Sequence, residues 1–197
     1  HAAGFPEQWM RDNTIFHKIN AEGTRNMAQV SMENQISRFI YTSTIDVFEG
    51  TQFEKYDESR IDPSTKHTHY ERSKQEADKI VTEFLSNGLP AIFIHPAAVY
   101  GPGPSSSAGV NELIRKICNS ELPALPPGGM PFVYAEDVGK GHVLAESKAK
   151  IGDRFILSES YQSLRDFVKI VLAADKKSMK IPFSLPYPIA RAIATVG

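Results

Sequence analysis

The sequence has one cysteine, Cys118, in 197 residues. A single thiol excludes an internal disulfide framework and any multi-cysteine metal site. Cys118 stands in LIRKICNS at helical spacing from Leu113, Ile114 and Ile117, so a buried apolar thiol is expected there rather than a reactive one. Charge of one sign is missing too: 22 Lys and Arg against 23 Asp and Glu leave a formal net charge of -1. That balance gives no field for drawing in nucleic acid or an anionic membrane, and the short DKKSMK run reads as a solvated face. No apolar run approaches the ~20 residues that span a bilayer. The amino end, HAAGFPEQWMRDN, lacks the basic stretch and apolar run of a signal peptide. Internal repeats and low-complexity segments are absent. The six histidines are scattered: His95 has no partner at ligand spacing, and His67 and His69 lie too close to Tyr70 for a shaped site, so no metal is expected. The chain reads as one sizeable core in a cytoplasmic setting. Its start, at a histidine followed by small residues, reads as a cut within a longer protein.

What is present is an alternation of elements. TIFHKINAEGTRNMAQVSME carries Ile15, Ile19, Met27 and Val30 at helical spacing, which predicts a helix over about 14–34. SRFIYTST predicts a buried strand over about 38–44, and an acidic, turn-rich stretch follows it. A second helix is expected over about 67–87, stopped by Gly88 and Pro90. AIFIHP is a second buried strand, VYGPGPSSSAG a loop and VNELIRKICNS a third helix. A Pro/Gly-rich connection then ends in the extended piece PFVY, before a helix over AEDVGKGHVLAESKA, a strand at RFILS and a helix over QSLRDFVKIVLAAD with Ser163 as N-cap. Apolar strands separated by helices imply an α/β fold with a parallel sheet covered on both faces. Ligands of such sheets bind at the carboxyl ends of the strands, where TSTIDVF and HPAAVYGPG stand.

The second helix holds YERSK, with a tyrosine and a lysine four residues apart. Its apolar stripe runs through Ala77, Ile80, Val81, Phe84 and Leu85. Counting back by sevens puts Tyr70 in line with Ala77 and Lys74 in line with Val81. A tyrosine suits a buried face, whereas a lysine there needs compensation or a wet cleft. A free phenol, with a pKa of about 10, is too weak an acid to serve as a base at neutral pH. A nearby ammonium favours the phenolate, and lowering the pKa by two or three units asks for roughly 3–4 kcal/mol. Proton transfer to or from a substrate oxygen is the chemistry that wants this pair. A lysine whose stem merely covers the core is the bland alternative, as is a strand-end hydroxyl at Ser43 or Thr44 that bonds local backbone.

HAAG, NAEGTRN, RFIYTSTIDVFEG, YERSK, HPAAVYGPG and FVYAEDVGKGHVLA come in the order found in extended short-chain dehydrogenases/reductases. The chain resembles their epimerase/dehydratase branch, and within it the hydroxysteroid dehydrogenase and dihydroflavonol reductase group. The resemblance implies a Rossmann-type sheet, with residues 1–100 as the C-terminal part of the dinucleotide-binding domain. Residues 101–197 would be a substrate-binding portion interleaved with the last Rossmann elements and ending inside its apolar tail. It implies NAD or NADP as cofactor, Tyr70 as catalytic acid/base, Lys74 as the group that lowers the phenol's pKa and meets the nicotinamide ribose, and Thr44, with Ser43 as fallback, as the hydroxyl on the substrate oxygen. Ala2, Ala3 and Gly4 would lie along the cofactor, Pro96, Ala98 and Val99 would line the nicotinamide, Asn20 would support the site, and Asp137 would be structural rather than catalytic.

One family feature is missing: no G-x-x-G-x-x-G occurs in the sequence, and the prolines of GPGPSSSAG remove the N–H donors such a turn needs. The phosphate-binding half is thus expected to lie outside this sequence, and an open sheet edge would favour self-association, a homodimer included. The expected activity is NAD(P)-dependent interconversion of a secondary alcohol and a ketone on a small hydrophobic or sugar-like substrate. A nucleotide-sugar epimerase or dehydratase and a non-catalytic binding module are the alternatives. Acidic residues placed for dehydration, or basic ones such as Arg115 and Lys116 on a diphosphate, would favour the first of these.

Overall fold

A computed structural model describes residues 1–50, 55–103, 109–176 and 181–196. The chain divides into two compact units, His1–Ala97 with Glu136–Leu157, and Ala98–Ala135 with Ser158–Gly197. In the first, α1 (Thr14–Phe16) runs through a π-helical stretch, His17–Glu22, into α2 (Gly23–Glu33). The residues that betray this helix in the sequence are not its inner face. Ile19, Met27 and Val30 are exposed, while Phe16, Asn20, Ala21, Thr24 and Ala28 are buried. The wider π turn shifts the helical register, and the small Ala21 and Ala28 allow close packing.

Strand β1 (Phe39–Thr42) follows, then α3 (His69–Ser86), β2 (Ala91–Pro96), and, after the second unit's first segment, α5 (Ala135–Lys148) and β6 (Arg154–Leu157). The three strands form a parallel sheet in the order β1-β2-β6, with Thr42 beside Ile94 and Phe93 beside Arg154. Every residue of β2 is buried, and its side chains alternate between faces. Ala91 and Phe93 join Phe39, Tyr41, Ala77 and Val81 under α2 and α3, while Ile92 and Ile94 meet Ala145 of α5 and Ala149 just beyond it. Gly141 permits that second layer: a Cβ there would come within 2.6 Å of the Leu157 side chain. The outer edge of β1 is met by His1, whose N donates to the Ile40 carbonyl (2.7 Å) and whose carbonyl accepts from Thr42 N–H (3.0 Å). On the far edge Ile156 N–H donates to Glu58 (2.9 Å).

The second unit contains β3 (Ala98–Tyr100), α4 (Val110–Cys118), β4 (Ala124–Leu125), β5 (Gly129–Tyr134), β7 (Ser160–Ser163), α6 (Leu164–Ala174), β8 (Phe183–Ser184) and α7 (Tyr187–Val196). Strand β5 pairs parallel with β3 and antiparallel with β7. Val99 and Tyr100, expected in a loop, therefore belong to a strand; residues 104–108 of that loop and 177–180 of the DKKSMK run lie outside the described residues. Gln162, expected at the start of a helix, is held by β5, while Ser163 is the N-cap as expected: α6 begins at Leu164 with the Ser163 hydroxyl accepting from Asp166 N–H. Phe132 stacks on Phe167 at 4.2 Å in a core with Val110, Ile117, Val168 and Leu172. Cys118, expected buried, is half-buried because it ends α4 at the wall of a groove of about 580 Å³. The Gly129 backbone sits so close to its neighbour strand that a Cβ would overlap the Gln162 carbonyl. The Gln162 carbonyl and the Ser163 Cα are main chain of a paired strand and yield little. Gly129→Ala is expected to cost about 1–3 kcal/mol, and urea unfolding with an unchanged midpoint would contradict it.

Candidate active site

The first unit places three of the expected residues at the carboxyl end of β1. A capping box fixes the start of α3: the Thr68 hydroxyl accepts from Glu71 N–H (3.1 Å) while the Glu71 carboxylate accepts from Thr68 N–H (2.8 Å). Tyr70 therefore stands in the first turn, with Lys74 one turn on and facing the sheet. Lys74 is only 8 % exposed. Its Nζ donates to the Thr42 carbonyl (2.9 Å) and lies 5.2 Å from the centre of the Tyr41 ring. Burial pulls the ammonium down to about 8, against the carboxylates of Asp78 and Asp46, which hold it up.

Beyond β1 the chain leaves the sheet at Thr44, which has an extended backbone and caps a short 3₁₀ turn, Ile45–Val47. The Thr44 hydroxyl accepts from Asp46 N–H (3.3 Å) and donates to Asp46 Oδ2 (2.9 Å). Burial, and after it the Asp46 carboxylate, push the Tyr70 phenol up to about 12; the Thr44 hydroxyl pulls the other way and Glu71 adds to the rise. Ser43, the fallback for Thr44, turns inward instead and donates to Asp78 Oδ2 (2.8 Å). The sequence leads one to expect a phenol made more acidic by Lys74. The structure has it less acidic, because burial and two carboxylates act on it while the ammonium is engaged at the Thr42 carbonyl.

The remaining expected residues divide. Asn20 is buried and pins the amino-terminal segment: its Oδ1 accepts from Phe5 N–H (2.7 Å), and its Nδ2 donates to the Phe5 carbonyl (3.2 Å) and to Ser73 (2.9 Å) on α3. Ala2, Ala3 and Gly4, just before that anchor, are exposed. Pro96 is buried at the end of β2, whereas Ala98 and Val99 belong to the second unit. Asp137 is exposed and pairs with Lys140 at 3.2 Å, so it holds no buried structure together. Arg115 is held between Glu112 and Glu121, and Lys116 leans on Glu112, so neither is a bare cation awaiting a diphosphate. Among the described residues no group of three or more His, Cys, Asp or Glu is placed to hold a metal.

The sequence passes over Asp46, Asp78 and Arg154, and offers His95 only as a metal ligand to be set aside. Asp46 lies inside the quoted TSTIDVF; its carboxyl is pushed up by burial and carries the Thr44 bond. Its position two residues after the strand-end threonine, the spacing of an ST-turn, is the available signal. Asp78, His95 and Arg154 meet behind Ser43, and only their co-location in space identifies them.

The residues present suit the nicotinamide-ribose end of a dinucleotide: a buried ammonium at Lys74 and exposed main chain at 2–4, where a Cβ on Gly4 would come within 3.3 Å of Asn20 Oδ1. They do not supply the phosphate end, since no glycine-rich turn occurs in the sequence. Calorimetry of this chain with NAD(H) or NADP(H) is expected to show no tight binding, and micromolar affinity would refute that division.

Comparison with known proteins agrees with the geometry. The profile of the NAD dependent epimerase/dehydratase family matches residues 1–157. A putative dihydroflavonol 4-reductase of Synechocystis sp. is 26% identical over 200 residues, covering 96% of this chain and 58% of the relative. The decarboxylating sterol-4-alpha-carboxylate 3-dehydrogenase of Candida albicans is 25% identical over 197 residues, covering 93% of this chain and 56% of its own length. The chain thus spans little more than half of either relative. Among solved structures, gox2253 superposes with a TM-score of 0.82 at 24% identity, covering 98% of this chain and 58% of that one. A nucleoside-diphosphate-sugar epimerase from Pseudomonas aeruginosa gives 0.78 at 21% identity over 90% of this chain and 60% of that one. These two likenesses establish the Rossmann-type fold. With a match over four-fifths of its length and this sheet beneath it, the chain belongs to the NAD dependent epimerase/dehydratase family.

Proposed function

We propose that this chain carries the proton-transfer half of an NAD(P)-dependent oxidoreductase that interconverts a secondary alcohol and a ketone on a small, largely hydrophobic substrate. The observation that carries the reading is the placement of Tyr70 and Lys74 one turn apart on α3, with the Lys74 ammonium on the Thr42 carbonyl at the strand end where Thr44 follows and acts on the phenol. Lys74 and the main chain at 2–4 would hold the nicotinamide-ribose, and a bound nicotinamide supplies or takes up the hydride. The chain's own residues do the rest. A phenol with a pKa of about 12 is protonated at neutral pH, so in the direction of reduction Tyr70 gives its proton to the oxygen that becomes an alkoxide. The Thr44 hydroxyl would hold the same oxygen, turning from Asp46 Oδ2 to do so. A hydrophobic substrate is supported by the paired state of Arg115 and Lys116 and by the relatives' names, a dihydroflavonol reductase and a sterol carboxylate dehydrogenase. The test is Tyr70→Phe in the enzyme assayed with its cofactor: retained turnover refutes the reading.

One observation favours a second reading. Asp46 puts a half-buried carboxyl, raised in pKa, beside Thr44, as an acid/base for dehydration or epimerisation requires. Turnover of a nucleoside-diphosphate sugar with no net change in the cofactor would select it.

A further inference from the structure

Behind the strand end lies a buried polar cluster that proton transfer itself does not use. Asp78, one helical turn beyond Lys74, is 3 % exposed, and its Oδ1 accepts from Arg154 Nη1 at 2.8 Å. Arg154 reaches across from β6, stacks on the Phe93 ring (3.9 Å to its centre) and donates through Nη2 to Thr82 (2.7 Å). His95, on the central strand, is 0 % exposed. Its Nε2 is 3.3 Å from Arg154 Nη1, and its Nδ1 is 3.2 Å from the Thr44 carbonyl.

The donors decide the tautomer. A guanidinium only donates, so Nε2 must accept, and the ring proton then sits on Nδ1 and is donated to the Thr44 carbonyl. Burial points the same way, pulling the imidazole down to about 4 and keeping it neutral. The backbone shows why a side chain is needed here. Ser43 N–H still pairs with the Ile94 carbonyl (2.7 Å), but β2 ends in Pro96, which has no N–H to offer. The β1–β2 ladder therefore stops at Ser43, and the Thr44 carbonyl, beyond the ladder, is met by the His95 side chain.

We propose that Asp78, Arg154 and an Nδ1-protonated His95 form a buried relay that fixes the Thr44 carbonyl, and with it the Thr44 hydroxyl, making all three positioning residues for the proton transfer. The relay rests on the reading of Thr44 and Tyr70 as the reacting pair. Ser43 completes it from the other side, since its hydroxyl donates to the Asp78 oxygen that Arg154 leaves unused.

The relay can be read without turnover. In a chain labelled with ¹⁵N-histidine, two-bond ¹H–¹⁵N spectra at neutral pH should show His95 with a pyrrole-type Nδ1 and a pyridine-type Nε2. The opposite tautomer, or an imidazolium, overturns the proposal. In the enzyme assayed with its cofactor, His95→Leu should lower kcat by about 10²-fold, the scale of a misplaced reacting group, with little change in KM. His95→Asn keeps a donor near the Nδ1 position and should restore most of that loss. A wild-type kcat in His95→Leu, or equal losses in both variants, overturns the relay. Full turnover in Tyr70→Phe instead overturns the catalytic reading, whatever tautomer His95 shows.

Discussion

Tyr70→Phe, in the enzyme with NAD(P)H bound, is expected to lower kcat by about 10²–10⁴-fold, the usual range for a lost general acid. Cofactor affinity should hold, because the substitution removes one hydroxyl and leaves Lys74 and the main chain at 2–4 in place. The pH dependence adds a sharper condition. Reduction needs the phenol, which at a pKa of about 12 is protonated throughout the neutral range, so its rate should stay flat with respect to Tyr70 up to strongly alkaline pH. Oxidation needs the phenolate, so its rate should climb about tenfold per pH unit toward that pKa. Bound nicotinamide and substrate would add charge and displace water, and any fall in the phenol's pKa on loading would shorten that climb without reversing it. A wild-type rate in Tyr70→Phe, or oxidation that falls as pH rises from neutral, would remove Tyr70 from the chemistry.

Most of this site could be read from the sequence for a definite reason. The inward face of α3 follows from heptad counting, so the burial of Lys74 was visible in the spacing from Lys74 to Val81. The strand of AIFIHP is buried on both faces and reads as a continuous apolar run. What the spacing could not show is where the Lys74 ammonium goes: it meets the Thr42 carbonyl, a contact between residues 32 apart that depends on how α3 lies on β1. Asp78, His95 and Arg154 were hidden for the same reason, coming from a helix and two strands. The π stretch was invisible as well, because Ile19, Met27 and Val30 keep helical spacing while Asn20 is the residue turned inward to hold Phe5. Local pattern carried the elements, and contacts distant in sequence carried the polar chemistry.

Lys74→Met is expected to stabilise the chain at neutral pH while abolishing the activity of the complete enzyme. In the folded chain the ammonium titrates at about 8, against 10.5 for the exposed group. At about 1.4 kcal/mol per unit, that difference is about 3 kcal/mol disfavouring the folded state when the lysine is charged. The sign fixes the window. Between about 8 and 10.5 the unfolded chain binds the proton that the folded chain has released, so wild-type stability should rise with pH across that interval. Below about 8 the penalty is complete. Methionine fills a similar volume with no charge to bury, at the cost of the hydrogen bond to the Thr42 carbonyl, about 1–2 kcal/mol. A net gain of about 1–2 kcal/mol at pH 7 should remain, and the rise between pH 8 and 10.5 should vanish. Urea unfolding across that pH range measures both. A Lys74→Met chain that keeps the alkaline rise would show that Lys74 is not its source, and one less stable than wild type at pH 7 would show that the ammonium is well satisfied where it lies. A gain that appears together with lost turnover would show that the folded chain keeps, at a cost in stability, a cation that the enzyme's activity requires.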